Sequence, residues 1–173
     1  MNLREEDLCI RNVVREDCAQ LAAWWNDGSV MAHAGFPNGL DTTEEKVWEK
    51  AAKDREGKQQ HLMLLYQGEA IGEMNYAACG NQSVEIGIKI CNIAYQNRGI
   101  GRKALRLLIQ ELFSMGYAKV VLNTNLNNRR AQHVYEVLGF QKMRVNENAW
   151  VNQIGELQST VDYVLLPEEF IEA

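Results

Sequence analysis

At 173 residues the chain is long enough for one domain with a sizeable core and too short for two of ordinary size. Its 46% hydrophobic and 24% charged residues are the proportions of a soluble globular protein, and a net charge of −5 with scattered Lys and Arg argues against a nucleic-acid partner, which needs a basic face. An acidic surface suits a cationic acceptor, such as an amine.

The first residues, Met1 to Asp7, carry acids where a secretory signal would carry a basic stretch and an apolar run, and no segment approaches the roughly 18 apolar residues of a membrane span. A cytoplasmic protein without membrane attachment is expected. Cys9, Cys18, Cys79 and Cys91 form no C-x-x-C pair and have no His at ligand spacing, so neither a metal site nor a disulfide is expected.

The first expected strand runs from Leu8 to Val14. Cys18, Leu21, Ala22 and Trp25 then fall at helical spacing within a helix from Glu16 to about Asn26, ended by Asn26-Asp27-Gly28. A loop with Gly35, Pro37 and Gly39 follows. Asp41 to Glu45 offer caps and first-turn acids for a second helix through about Asp54, and Glu56-Gly57 turns the chain. Gln60 to Tyr66 and Glu69 to Tyr76 read as strands joined by a two-residue Gln67-Gly68 hairpin. Ser83 to Ile90 is a third, with Val84, Ile86, Ile88 and Ile90 on one face and Glu85, Gly87 and Lys89 on the other.

Next comes Gln96-Asn97-Arg98-Gly99-Ile100-Gly101, followed by an amphipathic helix from Gly99 to Met115 that turns Ile100, Ala104, Leu105, Leu108 and Leu112 inward. Here a main chain can bind phosphate. The first amides of a helix lack intrahelical acceptors, the helix dipole places partial positive charge there, and glycines allow close approach. Arg98, Arg102 and Lys103 add formal charge. The spacing matches neither the G-x-G-x-x-G dinucleotide fingerprint nor a Walker loop.

A strand from Lys119 to Thr124, a helix from Asn128 to Leu138 and a closing antiparallel pair, Gln141 to Trp150 and Leu157 to Leu166, complete the chain. Seven residues of helix turn through about 700°, so Asn128 and Tyr135 share a face about 10 Å apart along the axis. One helix side can therefore meet an extended ligand twice.

The Q-x-x-G-x-G segment resembles the pyrophosphate loop of the GCN5-related N-acetyltransferases (GNAT). Asn128, Ala131, Tyr135, Gly139 and Phe140 are similar to that superfamily's second cofactor segment, N-x-x-[SA]-x-x-x-Y-x-x-x-G-F. Leu21-Ala22-Ala23-Trp24-Trp25-Asn26-Asp27 with Val30, Glu85-Ile86-Gly87 and Asp162-Tyr163-Val164-Leu165 resemble its ribosomal-protein N-acetyltransferase (RimJ/RimL-like) subgroup. The resemblance implies an α/β (α+β) GNAT fold over residues 1–173 as a single domain: one mixed, twisted sheet of about seven strands with helices on both faces, in the order βααβββαβαββ.

It also implies an acetyl-CoA-dependent N-acetyltransferase that acts by direct transfer in a ternary complex. The acceptor would be a protein N-terminus or a small amine such as a polyamine, amino acid or aminoglycoside, and the enzyme a monomer or homodimer. A non-catalytic CoA-binding sensor of the same fold is the alternative. Tyr135 would be the acid that protonates the departing thiolate, with Glu85, Glu73 or water as the base. Main-chain groups of Ile90, Cys91, Asn92 and Ile93 would pair with pantetheine. Gln96, Asn97, Arg98, Gly99, Ile100, Gly101 and Arg102 would hold the diphosphate, and Asn128 and Arg130 would also contact the cofactor. Trp25, Phe36, Tyr76 and Trp150 are the expected acceptor groove. His33, His61 and His133 lack a partner pattern and read as surface or capping residues.

Overall fold

The computed structural model describes residues 1–56 and 59–172. Its strands are β1 (Asn2–Glu5), β2 (Leu8–Asn12), β3 (Gln59–Tyr66), β4 (Glu69–Gly80), β5 (Ser83–Ile90), β6 (Lys119–Asn125), β7 (Gln141–Val151) and β8 (Leu157–Leu165). They form one sheet in the order β1-β2-β3-β4-β5-β6-β8-β7, antiparallel throughout except for the β5–β6 pair. The helices are α1 (Cys18–Asn26), α2 (Gly28–Met31), α3 (Glu44–Glu56), α4 (Ile100–Ser114) and α5 (Arg129–Val137).

A mixed sheet with helices on both faces is the expected architecture, with one more strand and one more helix among the described residues. β1 escapes the pattern search because it is a polar edge strand whose apolar residue, Leu3, gives no periodicity. It pairs with β2 across a turn in which Glu6 takes a left-handed φ of 49°. The other addition, α2, is a single turn where the sequence suggested only a stop. Asp27 accepts a hydrogen bond from the Ser29 amide at 2.8 Å and so caps a new helix after ending α1. The expected Glu56-Gly57 turn is described only as far as Glu56; Gly57 lies outside the described residues.

Helical periodicity explains which face each layer buries. Ile100, Ala104, Leu105, Leu108, Ile109 and Leu112 of α4 lie on one stripe and pack on the sheet face that carries Val84, Ile86, Val120 and Val161. On the opposite face Leu21, Ala22 and Trp25 of α1 and Val47 and Ala51 of α3 enclose Met63. The Gln67-Gly68 hairpin forms as expected, with φ of 52° and 81°, the conformation that matches strand twist.

One departure from regular pairing makes the site. β5 and β6 are hydrogen-bonded only where Ser83–Glu85 face Lys119–Val121. Beyond that point β5 follows β4, through Gly72↔Ile90, and β6 follows β8, through Asn125↔Thr160. The two strands part, and a wedge opens in the middle of the sheet.

A cofactor-shaped cleft with a charged floor

The wedge is a cleft of about 810 Å³. One wall is β5 from Ile86 to Ile90 together with Cys91, where the main-chain edge is not taken by β6. The β5–β4 ladder also ends there in a distortion, since the amides of Cys91 and Asn92 both donate to the Ile71 carbonyl, at 2.9 and 3.0 Å. An extended ligand carrying amides can therefore add to β5 as a further strand.

At the end of this wall stands the turn into α4. Asn97 and Gly99 both take left-handed conformations, φ 59° and 76°, so the chain reverses before Ile100 begins the helix. Gly99 is the N-cap and its lack of a side chain leaves the first α4 amides uncovered; a Cβ there would meet no atom within 4 Å. At Gly101 a Cβ would stand 3.3 Å from Ile90 Cδ1, so glycine also lets the helix start lie close to β5. Side chains hold the turn in shape. Gln96 Nε2 donates to the Ile90 carbonyl at 2.9 Å, and Arg130 of α5 donates to Gln96 Oε1 at 3.2 Å and to Asn97 Oδ1 at 3.1 Å. A tightly held, amide-rich turn with Arg102 and Arg130 on the cleft wall is suited to a dianion such as a diphosphate.

The third wall is the start of α5. Asn128 caps that helix by accepting from the Ala131 amide at 3.2 Å, which fixes its side chain at the cleft and leaves its amide nitrogen to a ligand. Tyr135 lies two turns on, also on the wall, packed edge-on against Phe140 and tilted against Tyr163. Its hydroxyl has no hydrogen-bond partner among the described residues. Burial pushes its pKa up to about 12, so the phenol keeps its proton and is a donor.

Most of the expected cofactor residues thus line one cavity: Ile90, Cys91 and Ile93, then Gln96, Asn97, Gly99, Gly101 and Arg102, and finally Asn128, Arg130 and Tyr135. Three do not. Asn92 turns away to accept from the Ala94 amide, Arg98 stacks over the Tyr95 ring at 5.3 Å, and Ile100 is a core residue. Cys91 is buried and its thiol is pushed up to about 12, chiefly by burial and then by the nearby Glu73 charge, so it is no thiolate nucleophile.

The two expected carboxylate bases lie in different surroundings. Glu85 is exposed and does not line the cleft. Glu73 is buried beneath it. Its carboxylate accepts from Trp25 Nε1 at 3.0 and 3.1 Å and from Lys89 Nζ at 3.0 Å, and lies 3.5 Å from His61 Nε2. His61 Nδ1 is in turn 3.1 Å from Asp54 Oδ2, and Lys50 lies 3.3 Å from that same oxygen. Burial by itself would raise the Glu73 pKa, but His61 and Lys89 more than offset it and lower it to about 2. A carboxylate so heavily stabilised as an anion is a poor proton acceptor. Burial would likewise depress His61, yet its two carboxylate neighbours raise it.

The expected acceptor residues also divide. Trp150 lines the cleft and rests on Gly35, where any Cβ would collide with the indole. Trp25 lies under the floor as the Glu73 donor, Tyr76 is in the core beside α4, and Phe36 is partly exposed but not on the cleft wall. An alternating strand pattern fixes which residues share a face but not which face meets the cleft. Sequence reading missed Lys89, which lines the cleft, and His33, on the short 3-10 turn after α2. It also missed Gln153, which ties the β7–β8 turn to the 35–39 loop. That side chain accepts from the Asn38 amide at 2.8 Å and donates to the Gly39 carbonyl at 2.9 Å, while its amide donates to the Gly35 carbonyl at 2.8 Å. No short-range pattern marks such a long-range clamp.

The fold is shared with solved acetyltransferases. A Vibrio cholerae spermidine N-acetyltransferase, in complex with CoA and spermine, superposes with a TM-score of 0.84 at 19% identity, covering 95% of this chain and 98% of that one. RimL, a ribosomal L7/L12 alpha-N-protein acetyltransferase in complex with CoA, gives 0.82 at 16% identity, covering 96% and 98%. An uncharacterised protein of Methanocaldococcus jannaschii is 26% identical over 157 residues, 87% of this chain, which spans about a third (31%) of that relative's length. Residues 7–141, most of the chain, match the family described as acetyltransferase (GNAT) domain. The chain therefore belongs to the GNAT acetyltransferase family.

Proposed function

We propose that this protein is an N-acetyltransferase that takes acetyl-CoA into the wedge and passes the acetyl group directly to an amine. The observation that carries this reading is the single cleft that joins an unpaired β5 edge, the uncovered first amides of α4 and the protonated Tyr135 phenol. Pantetheine would pair along β5 and the diphosphate would sit on the turn at Gly99 to Arg102. Relatives of the same fold are named in complexes with CoA, which supports this cofactor.

In the transfer step the neutral amine attacks the thioester carbonyl, the carbon–sulfur bond breaks, and the thiolate takes a proton from Tyr135. The proton that the amine loses passes to solvent water, which reaches the cleft wall at the exposed His33, and a proton returned from water restores the Tyr135 phenol. Glu73 is held as an anion under the floor, and Glu85 is off the wall. Cys91 stays protonated, in keeping with transfer in a ternary complex rather than through an acetyl-enzyme. The deciding experiment is thiol release from acetyl-CoA across N-terminal peptides, polyamines, aminoglycosides and amino acids, beside a calorimetric CoA titration. CoA binding with turnover of one class supports the reading, and no binding would sink it.

A further inference from the structure

No Asp or Glu lines the cleft among the described residues, although the chain as a whole is acidic at −5. The cations on its wall are Arg102 and Arg130, at the α4 turn, and Lys89. Lys89 stands apart from the other two. It projects from β5 on the sheet face that also carries its cross-strand partner Glu73 of β4, and its Nζ lies 3.1 Å from Met31 Sδ of α2. Ser29, Val30, His33 and Ala34, the residues around Met31, line the cleft too, and Met31 packs on the sheet face opposite Ile88 and Ile90, whose Cδ1 atoms lie nearest Gly101 at the α4 start. This ammonium is therefore not committed to the diphosphate.

Nor is it quenched by Glu73. The Glu73 side chain is 8% exposed, does not line the cleft, and is shared with Trp25 and His61, whereas the Lys89 side chain is 25% exposed. An ammonium has three donors. Glu73 takes one and the thioether is a weak second acceptor, so donor capacity remains for a ligand. The carboxylate beneath anchors the ammonium, which keeps a fixed positive charge at the acceptor wall.

We propose that Lys89 selects the acceptor: the amine acetylated here belongs to a molecule that also carries an anionic group, carboxylate or phosphate, which docks on the Lys89 ammonium, while polycationic amines are rejected. The proposal rests on the N-acetyltransferase reading. Like charges repel strongly where water is partly excluded, so a polyamine meets the wrong sign on this wall. The same cation also favours the neutral form of an amine beside it, which is the form that attacks.

The test pairs acceptors that differ in one charge: glycine with glycinamide, and phosphoethanolamine with ethanolamine, with spermidine as the polycation. Thiol release is measured for the full chain and for Lys89→Met and Lys89→Arg. The same amines are titrated calorimetrically into the protein with and without CoA. The anionic member of at least one pair is expected to exceed its partner by about tenfold in kcat/KM. The carboxylate and phosphate arms identify which anion docks. Lys89→Met should collapse that ratio through a rise in KM for the anionic member that exceeds any change in its partner, and Lys89→Arg should restore it. A damaged fold would lower both members alike and leave the ratio intact. Equal use of both members, preference for spermidine, or an unchanged ratio in Lys89→Met would overturn the proposal. If CoA binds and no amine turns over, the enzyme reading fails by itself. The titrations then decide the anion preference: Lys89-dependent binding supports it, and equal binding of paired amines overturns it.

Discussion

The two ends of the cleft are constructed differently. The end proposed for the diphosphate is a turn and two helix starts, Gln96 to Arg102 and Asn128 to Tyr135, each contiguous in sequence and offering mostly main-chain groups or a single helix face. The end proposed for the acceptor gathers side chains from α2, the turn after it, β5, β7 and β8: Ser29, His33, Lys89, Trp150 and Thr160. Below its floor runs the line of charges from Lys50 through Asp54, His61 and Glu73 to Lys89. Backbone recognition of a constant ligand needs only local conformation. Recognition of a particular acceptor needs side chains that meet only after the sheet and both helical layers have closed.

The largest effect should come from breaking the phosphate end with a charge. Gly99→Asp places a carboxylate where the diphosphate is expected, and repulsion of about 4 kcal/mol at short range would weaken CoA binding roughly 1000-fold. Gly99→Asn tolerates the same left-handed turn without the charge and should lose far less. Calorimetric titration with CoA reads both, and equal losses would show that conformation rather than the anion site was damaged.

Tyr135→Phe keeps the ring packed against Phe140 and Tyr163 and removes only the proton donor. Turnover should fall on the order of 100-fold while acetyl-CoA affinity is nearly kept. Wild-type turnover in the variant would make Tyr135 a packing residue.

The acceptor floor is tested by stability. Glu73→Gln leaves Lys89 without its carboxylate and His61 with Asp54 alone, and should cost about 2 kcal/mol in urea denaturation at neutral pH. The pH dependence has two limbs. Glu73 is depressed in the folded protein, so its contribution is present above the ordinary value of 4.5 and is lost as pH falls toward about 2. His61 is raised, so its contribution is full below its ordinary value of 6.5 and is lost as pH rises through the higher folded value. Glu73→Gln should flatten the acid limb between pH 4.5 and 2; an unchanged limb would place the titrating group elsewhere.

Gln153→Ala releases the clamp between the β7–β8 turn and the 35–39 loop, and a loss of about 1 kcal/mol in stability is expected. KM for the acceptor should rise severalfold with CoA affinity unchanged, because Trp150 and Gly35 lie on that side. The smallest effect is expected at Glu85. Glu85→Gln should leave turnover and its pH profile as they are, since the carboxylate is exposed and off the cleft wall. Loss of the acidic limb would return the base role to Glu85.

The sequence by itself determined the elements of the core and of the cleft wall built from the two helix starts. Hydrophobic spacing places α4 and the alternation of β5, and the glycines at 99 and 101 with the Asn128-to-Tyr135 interval place the turn and helix side that line the cleft. These are local signals, because period and backbone conformation are set within a few residues. Tertiary structure decided the rest. Whether Glu73 was a base or a buried anion depended on Trp25, His61 and Lys89, which come from three separate elements, and the sign of charge at the acceptor wall could not be read from a net charge of −5. Desolvation and charge pairing depend on distances across the fold, and those exist only once the chain has closed around them.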